Sequence, residues 1–311
     1  MATKKASSPK KASVKKPVAK AAVVASEATK KAIQITFSEK IVALKPSALI
    51  AEFAGTFVLA AIVLNLASAG TIGSVAIALI LAILVVVLGS ISGAHLNPAI
   101  SIALWINRKI DGVKACAYII AQVVGALAAF GLLLGVFNAT IEDRVLEATF
   151  SSYGITVSEA ESQLEASGTT LDEWVEEQGG IDALKEQTGV EFTNAELSDN
   201  LELLTGLLEL VGAAIFGLGV GYAVFGKGKS QIETGFAVGL SLLAGLIVGG
   251  ANVILNPAVA AALGAFNWAN PFGTDAMTFW WPILVYIIAT TIGMTAGVAS
   301  FKLLQKSVAT E

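Results

Sequence analysis

A single cysteine, Cys116, stands among 311 residues, so no disulfide can close within the chain and no cysteine-based zinc site is available. A single histidine, His95, excludes histidine-rich metal sites and most histidine-dependent catalysis. Charge is also scarce: 14% of residues are Asp, Glu, Lys or Arg, against roughly a quarter in an ordinary soluble domain. No nucleophile–base pair, metal cluster or phosphate loop is legible, so neither enzymatic activity nor a cofactor or metal is expected. Gly226-Lys227-Gly228-Lys229 lacks the strand and glycine spacing of a phosphate-binding loop and reads as a basic turn. What is abundant is apolar: 55% of residues are hydrophobic and the mean hydropathy is +0.74. The chain is expected to be an integral membrane protein.

The few charges are segregated. Residues 1–45 carry 11 of the 20 basic residues with only Glu27 and Glu39 as acids, whereas residues 137–203 carry 16 acids against Arg144 and Lys185. A membrane-crossing helix needs about 20 mostly apolar residues. Six stretches qualify, at roughly 46–70, 73–91, 113–136, 204–225, 231–249 and 279–301. Two more, near 93–107 and 250–267, are too short to span and read as re-entrant segments. Six spans put both termini on one side, together with Arg108, Lys109, Lys114, Lys227, Lys229, Lys302 and Lys306. By the positive-inside rule that side is cytoplasmic. The expected setting is a plasma or inner membrane.

The flanking regions read simply. Residues 1–45 are expected to form a Lys-rich disordered cytoplasmic tail attracted to anionic headgroups, and 302–311 a short second tail. Nothing aromatic interleaves the lysines, so nucleic acid is not an expected partner. The acidic segment 137–203 reads as a folded external insertion of two or three short helices. Its starts are expected at Ser158-x-x-Glu161, Thr170-x-x-Glu173 and Thr193-x-x-Glu196, and its stops at Gly168, Gly179-Gly180 and Gly189. Leu164, Leu171, Trp174, Val175, Ile181, Leu184, Phe192 and Leu197 supply an apolar seam.

The two hydrophobic regions, 46–136 and 204–301, share one layout: span, span, re-entrant box, span. Three spans per half is an odd number, so the halves enter from opposite sides and form an inverted repeat, with a functional site expected at their interface near the midplane. The boxes are Ser92-Gly93-Ala94-His95-Leu96-Asn97-Pro98-Ala99 and Gly249-Gly250-Ala251-Asn252-Val253-Ile254-Leu255-Asn256-Pro257-Ala258. Asn is a favoured N-cap and Pro at the first helical position loses no hydrogen bond, so each box starts a helix. Pro98–Asn107 and Pro257–Phe266, ten residues each, reach about 15 Å, half of a ~30 Å hydrocarbon core. Two half-helices entering from opposite faces would meet at their N-termini. The irregular backbone before them is tolerated in a membrane only if buried in protein or lining a wet cavity. A pore follows, with the two facing positive helix ends opposing cations and protons.

One Asn-Pro-Ala is common; two at equivalent places in an inverted repeat are specific. The chain resembles the aquaporin, or major intrinsic protein, family through Ala51-Glu52-Phe53-x-Gly55-Thr56-Phe57, Ser92–Ser101, Tyr118-x-x-Ala121-Gln122-x-x-Gly125-Ala126, Phe236–Leu240 and Asn256-Pro257-Ala258. The resemblance covers both halves but neither the tail nor the acidic insertion. It implies an all-α hourglass of six transmembrane helices and two re-entrant half-helices, a pore in each subunit, a homotetramer, and passage of water and small neutral solutes. It further implies that Asn97 and Asn256 donate to the permeant. The carbonyls of Gly93, Ala94 and His95, with those of Asn252, Val253 and Ile254, would form a ladder, while Glu52 and Glu209 brace the re-entrant loops. His95 is expected to contribute its carbonyl only.

The outer constriction departs from the pattern. Members of the family usually carry arginine three residues after the second Asn, and here Val259 stands there, followed by Ala260 in place of the aspartate common in glycerol facilitators. The other constriction positions are Ile77, Val253 and either Leu246 or Ala244. All are aliphatic. Such an opening is expected to pass water and to admit weakly polar solutes such as glycerol, urea, ammonia or gases. Two other classes remain: an ion- or proton-coupled transporter, for which the spans offer almost no charge beyond Glu52 and Glu209, and a structural membrane protein with a closed pore whose acidic insertion is the working part.

Overall fold

The computed structural model describes residues 37–66, 69–192, 202–250, 253–266 and 280–308. Two units are distinguished, Met1–Ala43 and Leu44–Glu311. In the first, within the stretch read as a tail, Phe37–Val42 forms a short helix, α1. Everything below concerns the second.

Six helices are long and apolar enough to cross a membrane. They are α2 (Pro46–Leu66), α3 (Gly70–Leu88), α5 (Gly112–Ala139), α10 (Glu202–Phe225), α11 (Gln231–Gly249) and a last span, Trp280–Ser307. That last span begins with a π-helical stretch, Ile283–Ala289, and continues as α13 (Thr290–Val308). Their outward residues stay apolar, as at Ile50, Ile83, Ile120, Leu240 and Ile292, a surface suited to lipid rather than water. The protein is an integral, multi-pass membrane protein.

Two half-helices, α4 (Pro98–Ile106) and α12 (Pro257–Ala262), complete the set. Both begin alike, with Asn at the N-cap and Pro in the first turn. Both also end alike. After α4 the Arg108 and Lys109 amides bond back to Trp105 O and Leu104 O, and after α12 the Gly264 and Ala265 amides bond back to Ala261 O and Ala260 O. Each pair closes a Schellman turn around a left-handed residue, Arg108 (φ 61°) or Gly264 (φ 76°). The turn at Gly264 stops α12 after six residues rather than the ten expected from composition alone.

The helices pack as an interlocked pair of halves. Within each half the first and last spans lie together, α2 on α5 and α10 on the last span, and the first and second spans are neighbours. Across the halves, α3 packs on α11. The half-helices are exchanged: α4 lies against α13 of the second half, and α12 against α5 of the first. Close approach rests on glycine. A Cβ on Gly125 would meet the Phe53 carbonyl of α2, and one on Gly297 the Ala214 carbonyl of α10.

The insertion is fully helical over its described part. It comprises α6 (Ile141–Ser152), α7 (Val157–Ser167), α8 (Leu171–Glu177) and α9 (Gly180–Thr188), four helices where two or three were expected. The Thr170–Glu173 capping box forms as read. The start expected at Ser158–Glu161 lies two residues earlier: Thr156 caps α7 and Glu159 bonds back to it, because Thr156 adopts the extended backbone that an N-cap needs. Thr193–Glu196 and Leu197 fall outside the described residues. Gly168 and Gly189 end their helices in the left-handed conformation. Of the anticipated seam, Leu184 is buried and Trp174 lies against Phe150 at 5.0 Å between centroids, and Val145 and Phe150 of α6, which were not anticipated, are buried as well. Phe192 then lies edge-on to both Phe130 and Phe137 of α5, at 5.6 and 5.4 Å.

Candidate functional site: the meeting of two half-helix tips

The sequence Leu-Asn-Pro-Ala occurs at both tips, and the four residues take the same roles twice. Leu96 (φ 51°) and Leu255 (φ 58°) both lie in the left-handed region, which costs a non-glycine residue about 1–2 kcal/mol. Both are fully buried. The turn they make aims each leucine carbonyl across the interface. Asn97 Nδ2 donates to Leu255 O at 2.8 Å, and Asn256 Nδ2 donates to Leu96 O at 3.0 Å. Each Asn Oδ1 meanwhile accepts from its own half-helix, at Ala99 N (2.8 Å) and Ala258 N (3.1 Å). The tips therefore hold each other by a reciprocal pair of hydrogen bonds. An amide NH2 has two donors, so one N–H of each asparagine remains beyond this exchange. Pro98, Ala99, Pro257 and Ala258 are buried directly behind.

A carboxylate braces each tip from the first span of its own half. Glu52 accepts from His95 N (3.0 Å) through one oxygen, and from Leu96 N (2.8 Å) and Gln122 Nε2 (2.7 Å) through the other. Glu209 accepts from both Ile254 N and Leu255 N through Oε1, and from Thr290 Oγ1 (2.7 Å) and, more weakly, Leu255 N (3.2 Å) through Oε2. Three residues after each glutamate comes a glycine. A Cβ on Gly55 would meet the Leu96 side chain at 2.5 Å and one on Gly212 the Leu255 side chain at 3.0 Å. Glu-x-x-Gly thus grips the strained leucine's amide and makes room for its side chain, twice.

Gln122, Ser101 and Thr290 were not singled out from the sequence. Gln122 lies inside a matched motif and carried that signal. Thr290 carried none, because its half uses a hydroxyl where the other uses an amide. The π-helical turn delivers it: Thr290 Oγ1 also reaches Val285 O, five residues back, at 3.3 Å. His95 is packed rather than free. Its Nδ1 lies 3.0 Å from Ser101 Oγ, its ring meets the Tyr118 edge, and Tyr118 OH donates to Ser92 O at 2.8 Å.

Of the expected ladder, Gly93 is exposed, Ala94, His95 and Val253 are buried, Ile254 is half-buried, and Asn252 lies outside the described residues. Among the described residues no hydrogen bond reaches the carbonyls of Gly93, Ala94, His95, Val253 or Ile254. Of the expected constriction, Ile77, Leu246 and Val253 fall in one apolar cluster. Val259 falls in a neighbouring one, with Ala60, Leu64, Ala126, Leu263 and, at its edge, Phe192. Among the described residues no group of three or more His, Cys, Asp or Glu is placed to hold a metal ion.

Six spans, an exchanged pair of half-helices and two mutually bonded Asn-Pro-Ala tips define the class of this membrane protein. A family profile described as major intrinsic protein matches residues 38–302, and the chain belongs to that family. A probable aquaporin AqpM of Archaeoglobus fulgidus is 26% identical over 234 residues, covering 74% of this chain and 75% of that one. Glycerol uptake facilitator protein-like 6 of Lactiplantibacillus plantarum is 42% identical over 85 residues, and rat aquaporin-1 is 43% identical over 72. Those two matches span only 39% and 27% of the relatives' lengths. Among solved structures, the aquaglyceroporin from Plasmodium falciparum shares the fold, with a TM-score of 0.52 over 84% of this chain and 96% of that one, at 22% identity.

Proposed function

We propose that the protein is a passive transmembrane channel for water and small neutral solutes. The observation that carries the reading is the set of unpaired backbone carbonyls at Gly93–His95 and Val253–Ile254, leading up to two asparagine amides with a donor to spare. In a membrane interior each such carbonyl needs a partner, and water is the one that a channel supplies. The carbonyls accept from the permeant and Asn97 and Asn256 donate to it. The two tips bring positive helix ends together, which repels cations and protons. Family membership and the aquaporin and glycerol-facilitator relatives support the same conclusion.

Selectivity belongs to the proposal too. Ile77, Leu246, Val253 and Val259 form the outer narrowing, with no guanidinium among them. Lacking five N–H donors and a fixed charge, it gives water no partner where water must shed neighbours, and it favours weakly polar solutes relative to a filter with arginine. The insertion lies outside, both termini and the basic loops lie in the cytoplasm, and the subunits assemble as a homotetramer in the plasma or inner membrane.

Stopped-flow light scattering of proteoliposomes tests the reading. Osmotic shrinkage well above that of empty vesicles, with a measurable glycerol or urea re-swelling phase and no ion current, is the expected result. Ion current, or no flux of any kind, refutes it. Val259→Arg is expected to shift the ratio of solute to water flux downward; an unchanged ratio would mean that the narrowing lies elsewhere.

A further inference from the structure

Phe225, the last residue of α10, sits between two ammonium groups. Lys109 Nζ lies 5.8 Å from its ring centroid and Lys302 Nζ 5.1 Å. The two lysines come from different elements, Lys109 from the turn after α4 and Lys302 from α13, and the fold draws them to one ring. Lys229, in the turn after α10, bonds to the carbonyl of Gly226, the residue next to Phe225. Partial burial and repulsion from Lys109 hold its ammonium below the ordinary lysine range. The contacts of these side chains go to carbonyl oxygens and a ring rather than to carboxylates: Lys302 Nζ donates to Asn107 O at 2.6 Å, and Lys229 Nζ to Gly226 O. The acids next to them in sequence are committed elsewhere. Asp111 accepts from Val113 N and Lys114 N at the start of α5, and Glu233 accepts from Ser230 N at the start of α11. Gathering like charges is unfavourable, and each ammonium has three donors, of which a carbonyl takes one at Lys229 and one at Lys302. Arg108 and Lys227 stand exposed on the adjoining turns.

We propose that Lys109, Lys229 and Lys302 form a binding site for a phosphate-bearing anion, with Phe225 as its apolar floor. A tetrahedral group with several acceptor oxygens can take the unused donors of all three lysines at once and relieve their repulsion. Two sources carry that chemistry, the phosphodiester headgroup of an anionic lipid and free inorganic phosphate. The site is distinct from the lysines of the N-terminal tail, and it requires no assumption about what crosses the channel.

The full-length protein in neutral detergent is titrated with short-chain phosphatidylglycerol, with phosphatidylcholine of the same chain length, and with inorganic phosphate, binding being read by native mass spectrometry and calorimetry. Saturable binding of phosphatidylglycerol or phosphate, over phosphatidylcholine, is expected. The affinity is expected to fall about fivefold for each lysine removed in Lys109→Gln/Lys302→Gln. A tail variant losing the same charge, Lys5→Gln/Lys10→Gln, is expected to lose only the weak non-saturable headgroup attraction of the tail and to keep the saturable affinity of the parent. Competition by inorganic phosphate identifies free phosphate as the source, and phosphatidylglycerol binding that phosphate leaves untouched identifies the lipid. Equal affinity in parent and double variant overturns the proposal, as does an equal loss in the tail variant. Because Lys302 also holds the Asn107 carbonyl, Lys229→Gln provides a second variant whose expected fivefold loss decides the matter if the double variant does not fold.

Discussion

The two bracing glutamates look equivalent, yet their hydrogen bonds predict unequal tolerance of the same substitution. Glu→Gln keeps shape and one acceptor oxygen but turns the other into an NH2 donor. At Glu52 the two backbone donors fall on different oxygens, His95 N on Oε1 and Leu96 N on Oε2. Whichever way the new amide is turned, one buried backbone N–H then faces another donor. Leaving one such group unsatisfied costs about 1–3 kcal/mol. At Glu209 both backbone donors, Ile254 N and Leu255 N, reach Oε1; Oε2 serves the Thr290 hydroxyl and shares Leu255 N at 3.2 Å, a bond that Leu255 N can give up while keeping Oε1 at 3.1 Å. A hydroxyl can reverse. Thr290 would accept from the new NH2 while donating to Val285 O, already 3.3 Å away. No donor is stranded, so Glu209→Gln is expected to cost under about 1 kcal/mol beyond the weakening that loss of charge brings to both sites. Thermal unfolding of both variants in detergent is the assay, read beside shrinkage rates in vesicles. At about 2–4 °C per kcal/mol for a chain of this class, Glu52→Gln is expected to melt several degrees below Glu209→Gln and to lose more water flux. A Glu209→Gln midpoint equal to or below that of Glu52→Gln refutes the donor counting.

Three further expectations follow from other parts of the molecule. The bonds from Thr156 to Glu159 and from Thr170 to Glu173 hold both carboxyls below the usual 4.5, so the capping they supply is present above that value and lost as pH falls through the lowered one. Hydrogen exchange over 157–177, corrected for intrinsic rate, is therefore expected to accelerate as pH falls below 4.5 and through the lowered range in the parent, and to be less sensitive to that fall in Glu159→Gln/Glu173→Gln. Phe192→Ala removes two edge-on ring contacts worth about 0.5–1.5 kcal/mol each. Faster proteolysis of the insertion with an unchanged melting midpoint for the spans is the expected outcome. Gly297→Ala drives a methyl group into the Ala214 carbonyl and is expected to destabilise by about 1–3 kcal/mol, whereas Gly131→Ala, where a Cβ meets nothing within 4 Å, is expected to be neutral. Equal midpoints for the two would mean that α10 and α13 can part without cost.

The spans, the half-helix starts and the two carboxylate braces were legible because each leaves a local trace. The traces are twenty apolar residues, an Asn-Pro pair, and an ionisable group where none is cheap. Resemblance added that Glu52 and Glu209 brace the re-entrant loops; which glutamate serves which box came from the structure. Three things were hidden. The length of α12 depends on Gly264, the single glycine between Pro257 and Phe266, adopting a positive φ, while the matching stop after α4 is made by Arg108, a residue that carries no such signal. The start of α7 depends on which of Thr156 and Ser158 takes the extended conformation, and both are followed three residues later by glutamate. Thr290 is brought to Glu209 only by a π turn, a change of register inside a uniformly apolar helix that periodicity does not reveal. The reciprocal bonds between the tips involve residues 158 and 160 positions apart, and only the repeated leucine before each asparagine hinted at them.

The exchange of stubs between halves also sets an order of events during synthesis. When the ribosome has completed the first half, Leu96 already requires its costly backbone turn, but the Asn97 amide and the face of α4 have no counterpart to rest on. Their counterparts, Leu255 and α13, are made last. The first re-entrant loop therefore has to wait in the translocation site as an unfinished joint, propped by its own half alone through Glu52, Tyr118 and Gln122, until nearly the whole polypeptide has emerged. A nascent chain truncated before residue 255 would integrate its early helices yet leave that loop accessible to water-borne thiol reagents at an engineered cysteine, a vulnerability that ends when the second tip docks.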